Sequence, residues 1–594
     1  MAAIPAERCV GGTDLTEPRL RADGQVLVYA SSTQGDAALV VHRFDGSPDT
    51  RVATSPAVRP GRGMGGGAWC FTADGAGVIY VAVDGNLWRQ LLSGEAAVLL
   101  TDHGPERAAA SPVAAPDGGS VVYVVDSEEV HRLTFQPPLD IRLDGGHADF
   151  CSDPYIEADS VTVGWVAWDT PDMPWDHSRV LCVGADGLIR EAVRPAGAVQ
   201  QPQVLPDGTP TCVRDDTGWL NVWAGDQPVV AEPFEHAGPS WGPGQRSYAW
   251  APDASAMAFT RNEGGFGRLC IADAATATVR EVARGVHGQL SWAGGRLAAV
   301  RTGARTPTQV VVYDTATFER TTIAVRPGAD WQPSELPEPE LVEVPVGDAV
   351  VHGRLYRSPQ ADGRLIVWLH GGPTDQWQVT FMPRCAFWLS RGWSILAPDH
   401  RGSTGHGRDY QQALRGRWGE LDVSDTLAAA RYAHAAGWSS PERTVVFGGS
   451  AGGFTALGAV VAEPGRFAAA VVLYPVTDLL DLSERSHRFE RHYTFSLVGP
   501  LPAAAGLYRK RSPVMYADRC AGTPLLLLHG DMDAVVPVQQ SEVFAERVWA
   551  GGGEAELHVY EGEGHGFRQL ANQLDEYHRT ESFLARRVPV ASRT

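Results

Sequence analysis

Gly448-Gly449-Ser450-Ala451-Gly452-Gly453 is the stretch on which the reading of this chain turns. Ahead of it, Thr444-Val445-Val446-Phe447 is a short β-branched and aromatic run. Behind it, Phe454-Thr455-Ala456-Leu457-Gly458-Ala459-Val460-Val461 reads as a buried helix. A strand therefore meets a helix at Ser450. Glycines at 448 and 452 permit a sharp turn that lifts the serine hydroxyl above the sheet edge, and the helix N-terminus brings unpaired N–H groups and positive potential to it. By that geometry the Ala451 amide is one donor to an oxyanion. A glycine-flanked serine is also a common structural turn, so the reading depends on partners elsewhere in the chain.

Those partners follow at strand ends. Leu525 to Leu528 is a four-leucine run closing on His529-Gly530, and two acids, Asp531 and Asp533, compete for the loop after it. Either carboxylate is suited to hold a histidine in one tautomer and to stabilise its imidazolium. Ala555-Glu556-Leu557-His558-Val559-Tyr560 then runs into Gly564-His565-Gly566, a glycine-rich loop in which a histidine is poorly placed for core packing and well placed as a general base. Upstream, the apolar run Arg364 to Leu369 ends in His370-Gly371-Gly372-Pro373, which resembles the H-G-G stretch whose backbone N–H groups complete an oxyanion hole. His370 alone would be read as a structural histidine; beside this glycine pair it is read as part of the hole and grouped with the substrate-binding residues. The order serine, acid, histidine, each after an apolar run, is that of an α/β-hydrolase triad and predicts a serine hydrolase.

At 594 residues the chain is too long for one ordinary core, so two large domains are expected. A formal charge of −20 argues against nucleic acid or an anionic membrane as partner. The first ten residues lack a basic start followed by a long apolar segment, and no run of about 18 apolar residues occurs, which predicts a cytoplasmic protein. Eight scattered cysteines without C-x-x-C pairs favour reduced thiols over a zinc site or a disulfide framework. No metal or organic cofactor is expected, and homo-oligomerisation stays open.

The N-terminal half repeats. Turn-forming pairs recur at Asp23-Gly24, Asp74-Gly75, Asp117-Gly118, Asp159-Ser160, Asp207-Gly208 and Asp253-Ala254, with Gly294-Gly295 as a weaker seventh. Most precede a strand-like run such as Val26 to Tyr29, Val78 to Val81 or Val121 to Val124. A period of about 40 to 50 residues is that of a four-stranded propeller blade, and seven blades fit the span. Gly61-Arg62-Gly63-Met64-Gly65-Gly66 satisfies a dinucleotide-binding spacing, but it follows no strand and leads into Ala68-Trp69-Cys70-Phe71, a strand rather than a helix. A close backbone turn in the propeller is the better reading. Pro327 to Glu340 is rich in proline and acid, as a linker is. The expected organisation is a seven-bladed β-propeller over 1–326, a linker over 327–340 and an α/β-hydrolase domain over 341–594.

A propeller followed by a hydrolase with this triad order resembles the prolyl oligopeptidase family of serine peptidases over nearly the whole chain, closest to its acylaminoacyl-peptidase and dipeptidyl-aminopeptidase branch. Supporting stretches are His370 to Pro373, Pro398 to Gly407, Arg417 to Asp425, Gly448 to Gly453 and His529 to Pro537, together with Trp165 to Trp168 and Met173 to Asp176 in the propeller. The resemblance favours Asp533 over Asp531. It implies that Ser450 attacks the carbonyl, His565 shuttles the proton, Asp533 orients His565, and the amides near Gly371, Gly372 and Ala451 hold the oxyanion. It also implies a propeller that restricts substrates to short peptides or other small acylated molecules. Tyr474, after the next strand, is either a wall of the acyl-side pocket or a strand cap.

Two positions depart from the family. Ala534 and Val535 stand where relatives often have a carbonyl-binding arginine, and Gly63-Met64 precede Gly65-Gly66-Gly67 where many have an ammonium-gripping glutamate. Loss of both removes charge-assisted hydrogen bonds of about 1.5–3 kcal/mol each. Glu106, Glu128, Glu129 and Asp176 are alternative anchors. The expected activity is hydrolysis of amides in short or N-blocked peptides. The alternative is a carboxylesterase, amidase or acyltransferase acting on a peptide-like specialised metabolite with the same triad.

Overall fold

A computed structural model describes residues 2–61, 64–104, 106–326 and 331–590. The chain divides into two compact units, Gly12–Ala329 and Asp330–Thr594, the latter joined by Met1–Gly11.

The first unit is a β-propeller of seven four-stranded antiparallel sheets, each built from consecutive strands. The innermost strands, Thr13–Leu20, Trp69–Phe71, Ala109–Ala114, Phe150–Ile156, Val199–Val204, Tyr248–Trp250 and Val286–Ala293, are mostly buried. The outermost, such as Pro138–Arg142, are largely exposed. The repeated aspartates have one physical role. Asp23, Asp74, Asp117, Asp159, Asp207 and Asp253 each accept, through Oδ1, the backbone N–H two residues on, at 2.8–3.0 Å. This side-chain bond closes the turn between first and second strands, which is why the period is legible as aspartates.

Among the described residues no strand is exchanged between the first and last blades. The ring closes through a shared apolar core of Leu15, Leu20, Leu27 and Tyr29 with Ala293, Ala298, Val310 and Val312. Leu20 N–H also donates to Ser291 Oγ at 2.9 Å, and Arg296 Nη1 donates to Gly24 O at 3.0 Å.

The second unit carries an eight-stranded sheet in the spatial order Glu340–Val346, Ala349–Tyr356, Ser394–Asp399, Leu365–Leu369, Thr444–Gly449, Ala469–Leu473, Leu525–Gly530, Ala555–Tyr560. The first two pairings are antiparallel and the rest parallel. The central strands are buried on both faces, as their unbroken apolar runs demand. Helices cover each face. Leu427, Val460 and Phe544 pack on one side, and Phe387, Trp388 and Tyr577 on the other. Among the described residues no helix is long and apolar enough to cross a membrane.

The expected boundaries need one correction. Residues before Gly12 belong with the hydrolase: Ile4 N–H donates to Ser390 Oγ at 3.0 Å, and Arg8 forms a fork with Glu335 at 2.9 and 3.1 Å. Apolar Ile4 and Ala6 fill hydrolase core positions. The linker is likewise anchored: Trp331 and Leu336 pack with Ile4 and Ala386, while 327–330 lie outside the described residues.

Candidate active site

Every chemically suggestive residue of the hydrolase lies just beyond the C-terminal end of a parallel strand, where the ends of an α/β sheet form a crevice. Ser450 sits between the strand Thr444–Gly449 and the helix Ala451–Ala462, at φ 55° and ψ −124°. A non-glycine residue there is strained, and strain at a strand-to-helix turn is what thrusts the hydroxyl outward. The neighbouring glycines are needed for approach as well as for turning. A Cβ on Gly448 would lie 2.2 Å from Gly452 O, and one on Gly452 would lie 2.5 Å from His370 O. The strand, the helix and the H-G-G loop thus touch backbone to backbone.

That contact brings the expected oxyanion strip beside Ser450. The Cβ position of Gly371 is 3.7 Å from Ser450 Cβ, and Gly372 adopts φ 53°. Helix geometry leaves the N–H groups of the first turn, Ala451 foremost, without intrahelical acceptors.

His370 corrects the expectation of a substrate-binding side chain. It is buried, with Nδ1 donating to Gly371 O at 3.0 Å and Nε2 facing Ser403 Oγ at 2.7 Å. Burial pushes it down to about 4, assisted by His400 stacked against it, so it is a neutral prop under the glycine loop. Its contribution is to the backbone shape at Gly371.

Asp533 and His565 meet as the motif order implied. His565 Nδ1 donates to Asp533 Oδ2 at 2.7 Å, and Asp533 Oδ1 accepts from the N–H groups of Val535 and Val536 at 2.8 and 2.9 Å. Burial raises a carboxyl, but contacts from His529 and His565 outweigh it here and hold Asp533 well below the usual carboxylate range. Asp531 is occupied otherwise, accepting the Gly562 N–H at 2.7 Å. Among the described residues His565 Nε2 has no hydrogen-bond partner, so it is available to a proton donor beside it.

Tyr474 joins the two halves. It holds φ 37°, its ring lies 4.5 Å from the His565 ring, and the same ring lies 3.3 Å from the Cβ position of Gly449 next to Ser450. Phe567 meets its edge at 5.8 Å.

Sequence reasoning missed His529. It is buried, with Nε2 donating to Val536 O at 2.9 Å and lying 3.4 Å from Asp533 Oδ2, while Nδ1 faces Ser541 Oγ at 2.8 Å. A histidine closing an all-leucine strand four residues before the acid was the available signal. At the end of the strand Ser394–Asp399, Asp399 is gripped by Arg354, His406 and Gln376 in a buried ionic cluster.

Of the alternative ammonium anchors, Glu129 is engaged by Arg107, Arg142 and His131, and Asp176 accepts the Met173 N–H at 3.2 Å. Arg62 and Gly63, beside the expected acid-free position, lie outside the described residues.

Residues 379–589 match the prolyl oligopeptidase family. Among curated relatives, the dipeptidyl peptidase family member 6 of Caenorhabditis elegans is 29% identical over 42% of this chain and 35% of its own length. The acylamino-acid-releasing enzyme of Arabidopsis thaliana is 32% identical over 34% of this chain and 27% of its own. The chain thus spans about a third of the length of these relatives. A Mycobacterium tuberculosis puromycin-hydrolyzing peptidase of known structure is similar throughout: it is 27% identical, with TM-score 0.89 over 100% of this chain and 97% of that one.

Proposed function

We propose, from the match of residues 379–589 to the prolyl oligopeptidase family, that the chain is a serine peptidase that cleaves amide bonds of short or N-blocked peptide-like molecules through an acyl-enzyme on Ser450. The observation that carries the reading is the 2.7 Å bond from His565 Nδ1 to Asp533, which leaves Nε2 as the only basic nitrogen of the ring.

In this mechanism Nε2 takes the Ser450 proton as Oγ attacks the carbonyl carbon. The imidazolium so formed is stabilised by Asp533, whose carboxylate is kept ionised by its hydrogen bonds. The carbonyl oxygen gains charge and is held by N–H groups of the Gly371-Gly372 strip and of Ala451. Collapse returns the proton from Nε2 to the leaving nitrogen. Water, deprotonated by the same nitrogen, then releases the acyl group and regenerates Ser450.

Tyr474 forms the wall of the acyl-side pocket in this reading. Its strained backbone and its packing on His565 and Phe567 fix an aromatic face next to the nucleophile, which suits an apolar or aromatic acyl residue. Neither anchor typical of strict dipeptidyl cleavage is present in the sequence after Asp533 or before Gly65. A second reading, an amidase acting on a peptide-like specialised metabolite, draws support from whole-chain similarity to a puromycin-hydrolyzing peptidase. Eight free cysteines, most of them buried, support the cytoplasm as its compartment.

The test is a matched panel of N-acylated, free-amine, single-residue and dipeptidyl anilides, with puromycin and the corresponding esters. Preference for blocked or single-residue amides supports the proposal. Turnover confined to esters, or to dipeptidyl substrates with a free amine, contradicts it.

A further inference from the structure

Five of the seven innermost propeller strands carry the same defect. The register slips at Thr16/Arg19, across from Val122/Val124, at Ser152/Tyr155, at Gln200/Gln203 and at Gly288/Ser291. Each slip holds a non-glycine residue at positive φ: Glu17, Ser111, Asp153, Gln201 and Gln289. A bulge swings its residue out of the alternation of the strand, and repetition around a ring marks it as a built feature.

The two remaining blades, second and sixth, contribute the chain leading into their first strands. All five bulge residues hold that chain. Glu17 Oε1 and Oε2 accept from the N–H groups of Gly61 and Ala68 at 3.2 and 3.0 Å, and Ser111 N–H donates to Gly67 O at 2.7 Å. Asp153 Oδ1 accepts from Gly244 N–H, and Gln201 Oε1 from Ser247 N–H, each at 2.7 Å. Gln289 Nε2 donates to Met64 O at 2.5 Å and to Gly244 O at 2.9 Å. The two segments also clasp each other: Gly66 N–H donates to Pro243 O at 2.9 Å, and a Cβ on Gly244 would lie 2.2 Å from Gly67 N. Segments entering from the second and sixth blades, touching each other and held by the first, third, fourth, fifth and seventh, can lie only where all seven innermost strands converge, which is the propeller axis.

We propose that these segments are a plug that closes the axis, so that no substrate or product of the hydrolase travels through the propeller. Gly61, Gly66 and Gly67, which belong to the stretch whose spacing imitates a dinucleotide loop, serve this close crossing: a Cβ on them would lie 2.7 Å from Gly66 Cα, 2.8 Å from Gly244 O and 2.6 Å from Ser111 Oγ. The plug is tied by backbone-directed bonds from five blades, and opening it would strand buried donors and acceptors. The activity arm of its test rests on the hydrolase reading; the exchange arm does not.

The test locks the plug. The Cβ position of Gly288 lies 3.6 Å from Met64 Cβ, within the span of about 3.5–4.5 Å that a disulfide needs. The M64C/G288C variant is expected to have the same kcat/KM oxidised and reduced, for a single-residue amide and for a longer peptide. A drop of about tenfold on oxidation, reversed by dithiothreitol, overturns the proposal. As a second variant, Gln289→Glu loosens the plug without a bridge. A lower Tm with unchanged kcat/KM is expected, and a rise in turnover of the longer peptide overturns the proposal. Independently of activity, the Gly66, Gly244 and Ser247 amides are expected to exchange hydrogen as slowly as those of the innermost strands. Rapid exchange at these amides overturns the plug, whereas slow exchange with no turnover in either redox state overturns only the hydrolase reading.

Discussion

His565 donates its Nδ1 hydrogen to Asp533 across 2.7 Å, and Asp533 in turn is held by the N–H groups of Val535 and Val536. The first consequence concerns tautomer. Asp533→Asn keeps an oxygen for the backbone amides but presents a poorer partner to Nδ1, so kcat is expected to fall about 10³–10⁴-fold with little change in Tm. Steady-state kinetics with thermal melts check this. A loss below about tenfold would remove Asp533 from the proposed mechanism.

His529 acts on the acid rather than on substrate. It bonds Val536 O and Ser541 Oγ and lies against Asp533 Oδ2, so His529→Ala leaves a carbonyl, a hydroxyl and a carboxylate short of partners. The expected cost is about 2–4 kcal/mol of stability, with kcat reduced and KM unchanged. If KM rises instead while kcat holds, His529 is not a positioning residue.

Tyr474 presents its ring to His565 at 4.5 Å from a backbone at φ 37°. Tyr474→Phe is expected to preserve turnover, because ring packing is the contribution. Tyr474→Ala is expected to raise KM about tenfold for aromatic acyl residues and less for small ones. Equal effects on both substrate sets would return Tyr474 to the role of a strand cap.

Asp375, four residues beyond Gly371, offers a pH-dependent test of the loop. Burial pushes its carboxyl up to about 7, against a single bond accepted from Gln376 N–H at 2.8 Å. A folded value raised above the unfolded one means that the native state holds the proton longer, so stability falls as pH rises from about 4 towards 7. Asp375→Asn removes this loss. Its Tm is expected to match wild type near pH 4 and to exceed it by a few degrees above pH 7, in melts run across that range. A constant difference at every pH would contradict the assignment.

Much of this architecture could be read from the chain before its coordinates. The six turn aspartates announced the blades because one side-chain bond repeats in each, and the leucine, valine and alanine runs announced a doubly covered parallel sheet. The loops that carry Ser450, Asp533 and His565 were legible because each follows a strand-like run. His370 misled because a neutral buried prop and a pocket residue look alike in a motif, and only burial separates them. The plug left a trace that went unread: Glu17-Pro18, Ser111-Pro112, Asp153-Pro154 and Gln201-Pro202 repeat a polar residue before proline at one place in four blades. Its partners lie up to 225 residues away in sequence, as for Gln289 and Met64, and no local pattern encodes that distance. The first eleven residues docked with the hydrolase for the same reason, through contacts such as Ile4 with Ser390.

The central claim is that Ser450 is the nucleophile, and covalent labelling with a fluorophosphonate reads it directly. Wild type is expected to take up one probe, localised by mass spectrometry to the peptide containing Ser450, while Ser450→Ala takes up none and melts normally. Labelling retained in Ser450→Ala, or an adduct on another residue of the wild type, would contradict the account.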